Sequence, residues 1–468
     1  MTNEVASGAV AIDDGARWAV FRAGLAIAAV FHLLPNASLA EPSGMLLLGL
    51  AATAVLLRPH GRWPLLALAG TVALSFGQEA PVVGNHWLLA LLFALAVVLA
   101  IPGDPARIGS RALPAIRVVT LVFYAYVAFA KLNPDFLDPA VSCAPYFLEE
   151  SLRSVHLGWL DLTAHTSVRR LVAFGTLLVE SSVPVLLIVR RTRTAAVLLA
   201  LGFHWVLAVD RTHEFYDFSS VLFAVFLTFL PVAVLDRTLA RLGQWVPSSM
   251  VRTGLATVPA FLGVLGAASS NGSVRRETVL NLGWWLWQPL ALAVMAAVVL
   301  AVRETGVRSG PVSFLPSKRW LLIVPALSVV NGALPYLEVK TSTVWNMYSN
   351  LRTAGGHSNH VLVSRTFPLT SPQDDLVEVL GSDDPLLDLY AGTDLRLPVR
   401  SVRTYLQEHP ATSAVVVIAG ERVTIVAGEP IPERLGPPVP EWLQKLFILR
   451  SVDVEDPVAC QSVYLPAA

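Results

Sequence analysis

Residues 122–136 read VFYAYVAFAKLNPDF. An apolar helical run meets its first full charge at Lys131 and stops within three residues at Asn133-Pro134. A lysine in the last turn of a membrane-like helix has two uses. It can snorkel to the interface as an anchor, or it can do chemistry there. The rest of the chain has to separate the two.

Of 468 residues, 54% are hydrophobic and 15% charged, and the mean hydropathy is +0.60. A soluble protein carries roughly 25% charged residues, so the composition is that of a multi-spanning membrane protein. The formal net charge of zero gives no footing for a nucleic-acid partner. Residues 1–18 lack a basic segment followed by a short apolar core, so no cleavable signal peptide is expected. Heavy use of Ala, Arg, Val and Leu with little Lys resembles a high-GC bacterial proteome. Spanning helices need about 20 mostly apolar residues. Runs of that kind lie at 16–38, 43–59, 63–79, 85–102, 112–132, 168–190, 193–210, 215–235, 253–270, 283–302 and 320–337. Lys and Arg concentrate in alternate loops (LRPHGR, GDPARIGSR, VRRTR, DRTLARLGQW, RETGVRSGPVSFLPSKR), with SSNGSVRRETVLN the one exception among the others. By the positive-inside rule this predicts a cytoplasmic N-terminus, with everything after Leu337 outside. The expected fold is an all-α polytopic bundle of about nine to eleven spanning helices over residues 1–337, followed by a small α+β extracytoplasmic domain over 338–468. In that domain SAVVVIAG and ERVTIVAG read as two strands with a glycine-containing turn. PVRSVRTYLQEHP reads as a short helix. Residues 133–167 read as short helices capping the bundle.

Ionisable residues inside a bilayer are costly and mark functional sites by default. The predicted topology gathers them at one level, near the outer leaflet: His32, Glu79, His86, Lys131 and His204, with Asp210, His213 and Glu214 just beyond. Glu180 falls near the middle of its helix. The inner half holds no comparable set beyond loop arginines. Each has an ordinary alternative: an anchoring lysine, a histidine satisfied between helices, a glutamate packed against a Ser or Arg. No metal is expected. His32, His86 and His204 are the imidazoles that could hold one, but no i, i+4 histidine pair occurs, and His213, His357 and His360 fall in loops. On the helix before Lys131, Tyr124, Val127 and Ala128 share its face. That apolar, aromatic-edged face would suit a flat hydrophobic substrate with a polar head. A desolvated amine there could act as a general base on a weakly acidic hydroxyl.

YAYVAFAKLNPDF resembles the lysine-bearing stretch of the vitamin K-dependent γ-carboxylases and of their bacterial relatives, the horizontally transferred transmembrane domain family. VGNHWLLALLFAL (83–95) resembles the Asn-His helix of the same enzymes, and FHWVLAVDRTHEFYDFSSVLFAVF (203–226) their Phe-His…Phe helix. The three occur in order and span a core of roughly residues 15–240. The resemblance implies that Lys131 deprotonates a quinol, either reduced vitamin K or menaquinol, as co-substrate with O2 and CO2. The quinol becomes an epoxide, and a glutamate of a partner protein or peptide is carboxylated. It implies that His86 and Asn85 sit beside the lysine, and that His204 lines the pocket. Tyr124 and Glu180 join the expected substrate-binding set. The chain departs from the family in carrying Ala130 where a second lysine is common. It also has no evident counterpart of the large propeptide-recognition region. Residues 335–363 resemble a segment following the membrane part of some bacterial relatives. Asn350, Arg352, His357, Asn359 and His360 in it would form a lid or, the preferred expectation, a polar linker.

Both cysteines, Cys143 and Cys460, fall in predicted outside segments. A bond between them would tie the capping segment to the end of the soluble domain; two unpaired thiols fit the sequence equally well. Besides a quinol enzyme, two other classes are open. A non-catalytic membrane scaffold or export/immunity component would not need Lys131. A transporter would need a second ionisable set toward the inner side.

Overall fold

The structure is a computed structural model describing residues 14–36, 42–58, 61–245, 248–270, 275–369 and 373–461. Every apolar run named above carries a helix. The helices are α1 (Gly15–His32), α2 (Pro42–Leu57), α3 (Arg62–Glu79), α4 (Asn85–Ala100) and α5 (Ile108–Ala130), then two short capping helices, α6 (Pro134–Leu137) and α7 (Cys143–Ser154). They are followed by α8 (Thr166–Ile188), α9 (Arg193–Leu207), α10 (Phe215–Phe226), α11 (Val232–Trp245), α12 (Ser248–Ser270), α13 (Arg276–Thr305) and α14 (Ile323–Ala333). Among the described residues, four stretches are long and apolar enough to cross a membrane: Pro105–Ala130, Thr166–Ile188, Glu277–Thr305 and Arg319–Leu337. Ser43–Leu57, Asn85–Ala100, Arg193–Leu207 and Phe215–Phe229 are shorter apolar helices. The outward faces fit a lipid environment. On α8, Leu171, Phe174, Leu178 and Val185 are all exposed. Rows of exposed apolar side chains that size would drive aggregation in water.

The run at 215–235 is not one helix. It breaks at Leu230-Pro231, and DRTLARLGQW, expected as a loop, forms most of α11. That helix is amphipathic. Leu235 and Thr238 are buried, while Arg237 and Arg241 on the other side pair with Glu304. The end of the bundle away from Lys131 is also richer than expected. Arg17 and Arg117 are buried on Asp14 at 3.1 Å each. They also donate to the carbonyls of Leu230, Thr228 and Ser313. These arginines satisfy backbone groups at helix ends, a need that the sequence pattern does not display.

The boundary at 338 needs correction. Residues 338–369 belong with the bundle. Trp345 is buried in the main core and donates to the Ser328 carbonyl at 2.8 Å. Val361 N–H donates to Leu132 O at 2.9 Å, and Phe367 N–H to Tyr336 O at 2.8 Å. The path is tight: Glu338, Thr343, Tyr348 and Asn350 all have φ between +46° and +53°. Such left-handed conformations of non-glycine residues persist only where surrounding contacts fix them. A two-stranded turn, β1 (Thr353–Ala354) with β2 (His357–Ser358), closes this strap.

The independent unit begins after it. Its antiparallel sheet runs in the order β6-β5-β3-β4-β7, with β3 Leu376–Ser382, β4 Leu395–Pro398, β5 Ala414–Ile418, β6 Glu421–Ile425 and β7 Val452–Asp453. The β5–β6 hairpin turns through Ala419-Gly420, both at positive φ, the conformation a two-residue turn demands. Alternate residues Val377, Val379, Val416 and Ile418 pack beneath Val402 and Leu406 of a helix over Val399–Glu408. The chain then returns to the bundle, where Cys460 is bonded to Cys143 at the start of α7.

Candidate functional site

Asn133 sets the position of Lys131. Its Oδ1 accepts from Phe136 N–H at 2.7 Å and caps α6. Its Nδ2 donates to Ala130 O at 2.9 Å and Ser349 O at 2.7 Å. One side chain therefore ends α5, starts α6 and clamps the strap over both. Lys131 follows α5 directly and is 4% exposed. Its Nζ lies 2.8 Å from Glu180 Oε2 on α8, donates to Met347 O of the strap at 3.2 Å, and sits 5.5 Å from the Phe136 ring centre. The Glu180 approach is a charge contact; the aligned hydrogen bond is the one to Met347. Glu180 was expected mid-membrane, with a Ser or Arg as its ordinary partner. Its partner is the lysine itself.

The pair lines an apolar chamber between α5, α7, α8, α9, α10 and the strap. Tyr124 and Val127 line it, as the shared helix face predicts, with Phe123, Phe147, Phe203 and Phe218. Ala128 is buried but does not line it. His204 reaches the chamber from α9. Its Nε2 hydrogen-bonds the Tyr124 hydroxyl, and its Nδ1 has no hydrogen-bond partner among the described residues. Val206 lines the chamber and is half exposed on the bundle surface.

His86 and Asn85 are not beside Lys131. They line a second, more polar chamber with Asn36, His213, Glu214, Asp217 and Arg450. Phe215, Phe218, Met347 and Tyr348 line both chambers and form the wall between them. Asp217 holds His86 on its own side: His86 Nε2 lies 2.7 Å from Asp217 Oδ2. Gly84 makes room for that ring, since a Cβ there would fall 2.4 Å from His86 Cε1. Asp217 is the residue that sequence reasoning passed over. It lies inside the quoted 203–226 stretch, as a carboxylate in the first turn of an apolar helix, and that was the available signal. The same Oδ2 is 2.8 Å from His32 Nδ1, and His32 Nε2 is 3.0 Å from Glu79. His32 stacks on Trp87 with ring centres 3.5 Å apart. The outer-level residues therefore divide into two sets. One is Lys131, Glu180, Tyr124 and His204. The other is Glu79, His32, Asp217 and His86.

The strap is a lid and not a linker. Met347 and Tyr348 line the chambers. Asn350 accepts from Cys143 N–H and donates to the carbonyls of Val141 and Val458. Asn359 donates to Asp135 at 2.6 Å, and His360 Nε2 bonds Phe129 O at 2.8 Å. Burial pushes the His360 imidazole below its ordinary range and Lys340 down to about 8. His357 is exposed and lines neither chamber.

Comparison with family models, with curated proteins and with solved structures returns no match.

Proposed function

We propose that this is a plasma-membrane protein of a bacterium that oxygenates a quinol in the Lys131 chamber, with menaquinol or vitamin K hydroquinone as co-substrate. The proposal follows the γ-carboxylase-like motifs. One observation carries it: a lysine–glutamate pair, nearly excluded from water, lines an apolar, aromatic chamber. A flat hydroquinone would fill the chamber with its ring against Phe123 and Phe218 and its hydroxyl toward Lys131. Proton transfer from Lys131 to Glu180 leaves a neutral amine and a neutral acid. In a desolvated site that neutral pair is the natural alternative to the ion pair. The amine then accepts the hydroxyl proton, and the resulting oxyanion faces the new ammonium. Tyr124 and His204 supply a hydrogen-bonding edge for the far oxygen. Hydroquinone and O2 give epoxide and water. In the full proposal this oxidation drives carboxylation of a glutamate on a partner protein or peptide by CO2, with the polar chamber next door to receive the side chain. On the positive-inside reading the N-terminus would lie in the cytoplasm and the C-terminal domain outside, where a Cys143–Cys460 bond would persist.

The test is turnover. Purified protein in lipid nanodiscs, given either quinol and O2, forms epoxide, and Lys131→Ala forms none. Absence of epoxide from wild type with both quinols removes the proposal. A second reading has its own support, because Lys131 is already neutralised by Glu180 and bonded to Met347. In a non-catalytic scaffold that pair would be purely structural. Lys131→Met/Glu180→Leu would then keep biological function intact.

A further inference from the structure

At the second chamber lies a group of side chains that the quinol chemistry does not use: His86 and Asp217 line the chamber, and His32 is buried against Asp217. His32, His86 and Asp217 each present one ligand atom, and these atoms lie within 4.8 Å of one another. They come from three helices far apart in sequence, α1, α4 and α10, so no spacing motif could reveal them. Both imidazole nitrogens approach a single oxygen, Asp217 Oδ2, at 2.7 and 2.8 Å. The second oxygen, Oδ1, is buried and has no hydrogen-bond partner among the described residues. Asn36 Nδ2 adds contacts of 3.0 Å to His32 Nδ1 and 3.2 Å to Oδ2.

We infer that His32, His86 and Asp217 bind a divalent first-row transition-metal ion at the floor of the polar chamber. Two buried carboxylates, Asp217 at 2% exposure and Glu79 at 3%, need compensating positive charge. A divalent ion among the three ligands supplies it. Ligand atoms of such an ion stand about 3–3.5 Å apart, given bond lengths near 2.0–2.2 Å, so the Asp217 oxygen would move off each ring nitrogen by about half an ångström while the two nitrogens, now within 4.8 Å of each other, draw together. The donor set selects the metal class: two imidazoles with one carboxylate suit zinc, iron, cobalt or manganese better than calcium or magnesium. The surroundings match a metal histidine as well. The nitrogen of His32 that faces away from the site meets Glu79 at 3.0 Å, the carboxylate–histidine arrangement that fixes the tautomer and orientation of a ligand. Trp87 stacks on the same ring and locks its plane. Three protein ligands leave coordination positions open. Asn36, Gly84 and Glu214 line the space in front of them, where a water or a small anionic group can bind.

The experiment uses the full chain in detergent with any affinity tag removed. The protein is stripped with EDTA, loaded with Zn2+ or Co2+, desalted and assayed for metal. Wild type is expected to retain about one equivalent, and the cobalt form to show visible ligand-field bands. His86→Ala and Asp217→Asn are expected to lose retention and bands. Glu79→Gln should bind roughly 10–100-fold more weakly, as for other outer-sphere changes. Lys131→Ala should bind as wild type does, which separates this site from the quinol chamber. Wild type that retains no stoichiometric zinc or cobalt overturns the inference whatever the variants do. So does His86→Ala that binds like wild type. Either result would leave a proton-linked His–Asp cluster and would not bear on the Lys131 chamber.

Discussion

The Lys131–Glu180 pair can be tested by a double-mutant cycle on stability. The side chains are 5% and 10% exposed and 2.8 Å apart. With an effective dielectric near 20, their attraction is about 6 kcal/mol before desolvation is charged against it. Desolvation removes most of this, so the pair as a whole stabilises the fold only slightly. Removing one partner is different, because it strands the other charge in an apolar chamber. Lys131→Met and Glu180→Leu are each expected to destabilise by about 3–5 kcal/mol, and the double variant by far less than the sum. The assay is reversible unfolding of purified protein in mixed micelles by titration with SDS, with all four proteins compared at one pH. Additive single effects would refute the reasoning. They would mean that the two charges do not depend on each other, and that Glu180 cannot serve as the proton partner of Lys131.

Cys460→Ser should remove a mobility difference between reduced and non-reduced gels that wild type shows. It should also lower stability by at most about 5–6 kcal/mol, the chain-entropy limit for a separation of 317 residues. Asn350→Ala removes the partner of the Cys143 N–H and of the Val141 and Val458 carbonyls at once, at a cost of about 3 kcal/mol or more. Limited proteolysis within 345–361 should accelerate accordingly. Lys340 has a folded-state value of about 8 against an ordinary 10.5. Below pH 8 both states hold the proton and the burial penalty is complete. Between 8 and 10.5 the unfolded chain binds more protons, so stability rises with pH. Lys340→Met is therefore expected to gain up to about 3 kcal/mol at pH 7, with the gain fading between pH 8 and 10.5 and gone above that; a pH-independent difference in thermal unfolding would count against this.

Much of the bundle was legible because lipid imposes a simple rule: apolar runs of sufficient length become helices. The helix α11 was hidden because its charges read as a loop, and only the partner helix carrying Glu304 shows which face is buried. In the C-terminal unit, β5 and β6 were readable from alternation and turn chemistry. The other strands are short or lie in mixed sequence. The strap was misjudged because its polar residues do not look buried; Asn350 and Asn359 are internal because they satisfy backbone and side-chain groups of the capping helices. Within the site, Lys131, Tyr124 and Val127 followed from helical spacing. The family resemblance, together with a common depth, put His86 beside Lys131, but a common depth does not fix the angle around a bundle axis. Asp217, approached from across the bundle, decides which chamber His86 serves.

The most direct measurement is a density map of the purified protein with a bound menaquinone or vitamin K analogue. The account predicts the quinone ring between Phe123 and Phe218, one oxygen within hydrogen-bond reach of Lys131 Nζ, and the other toward Tyr124 and His204. A chamber occupied only by a lipid acyl chain at saturating quinone, with Lys131 still held by Glu180 and Met347, would contradict it.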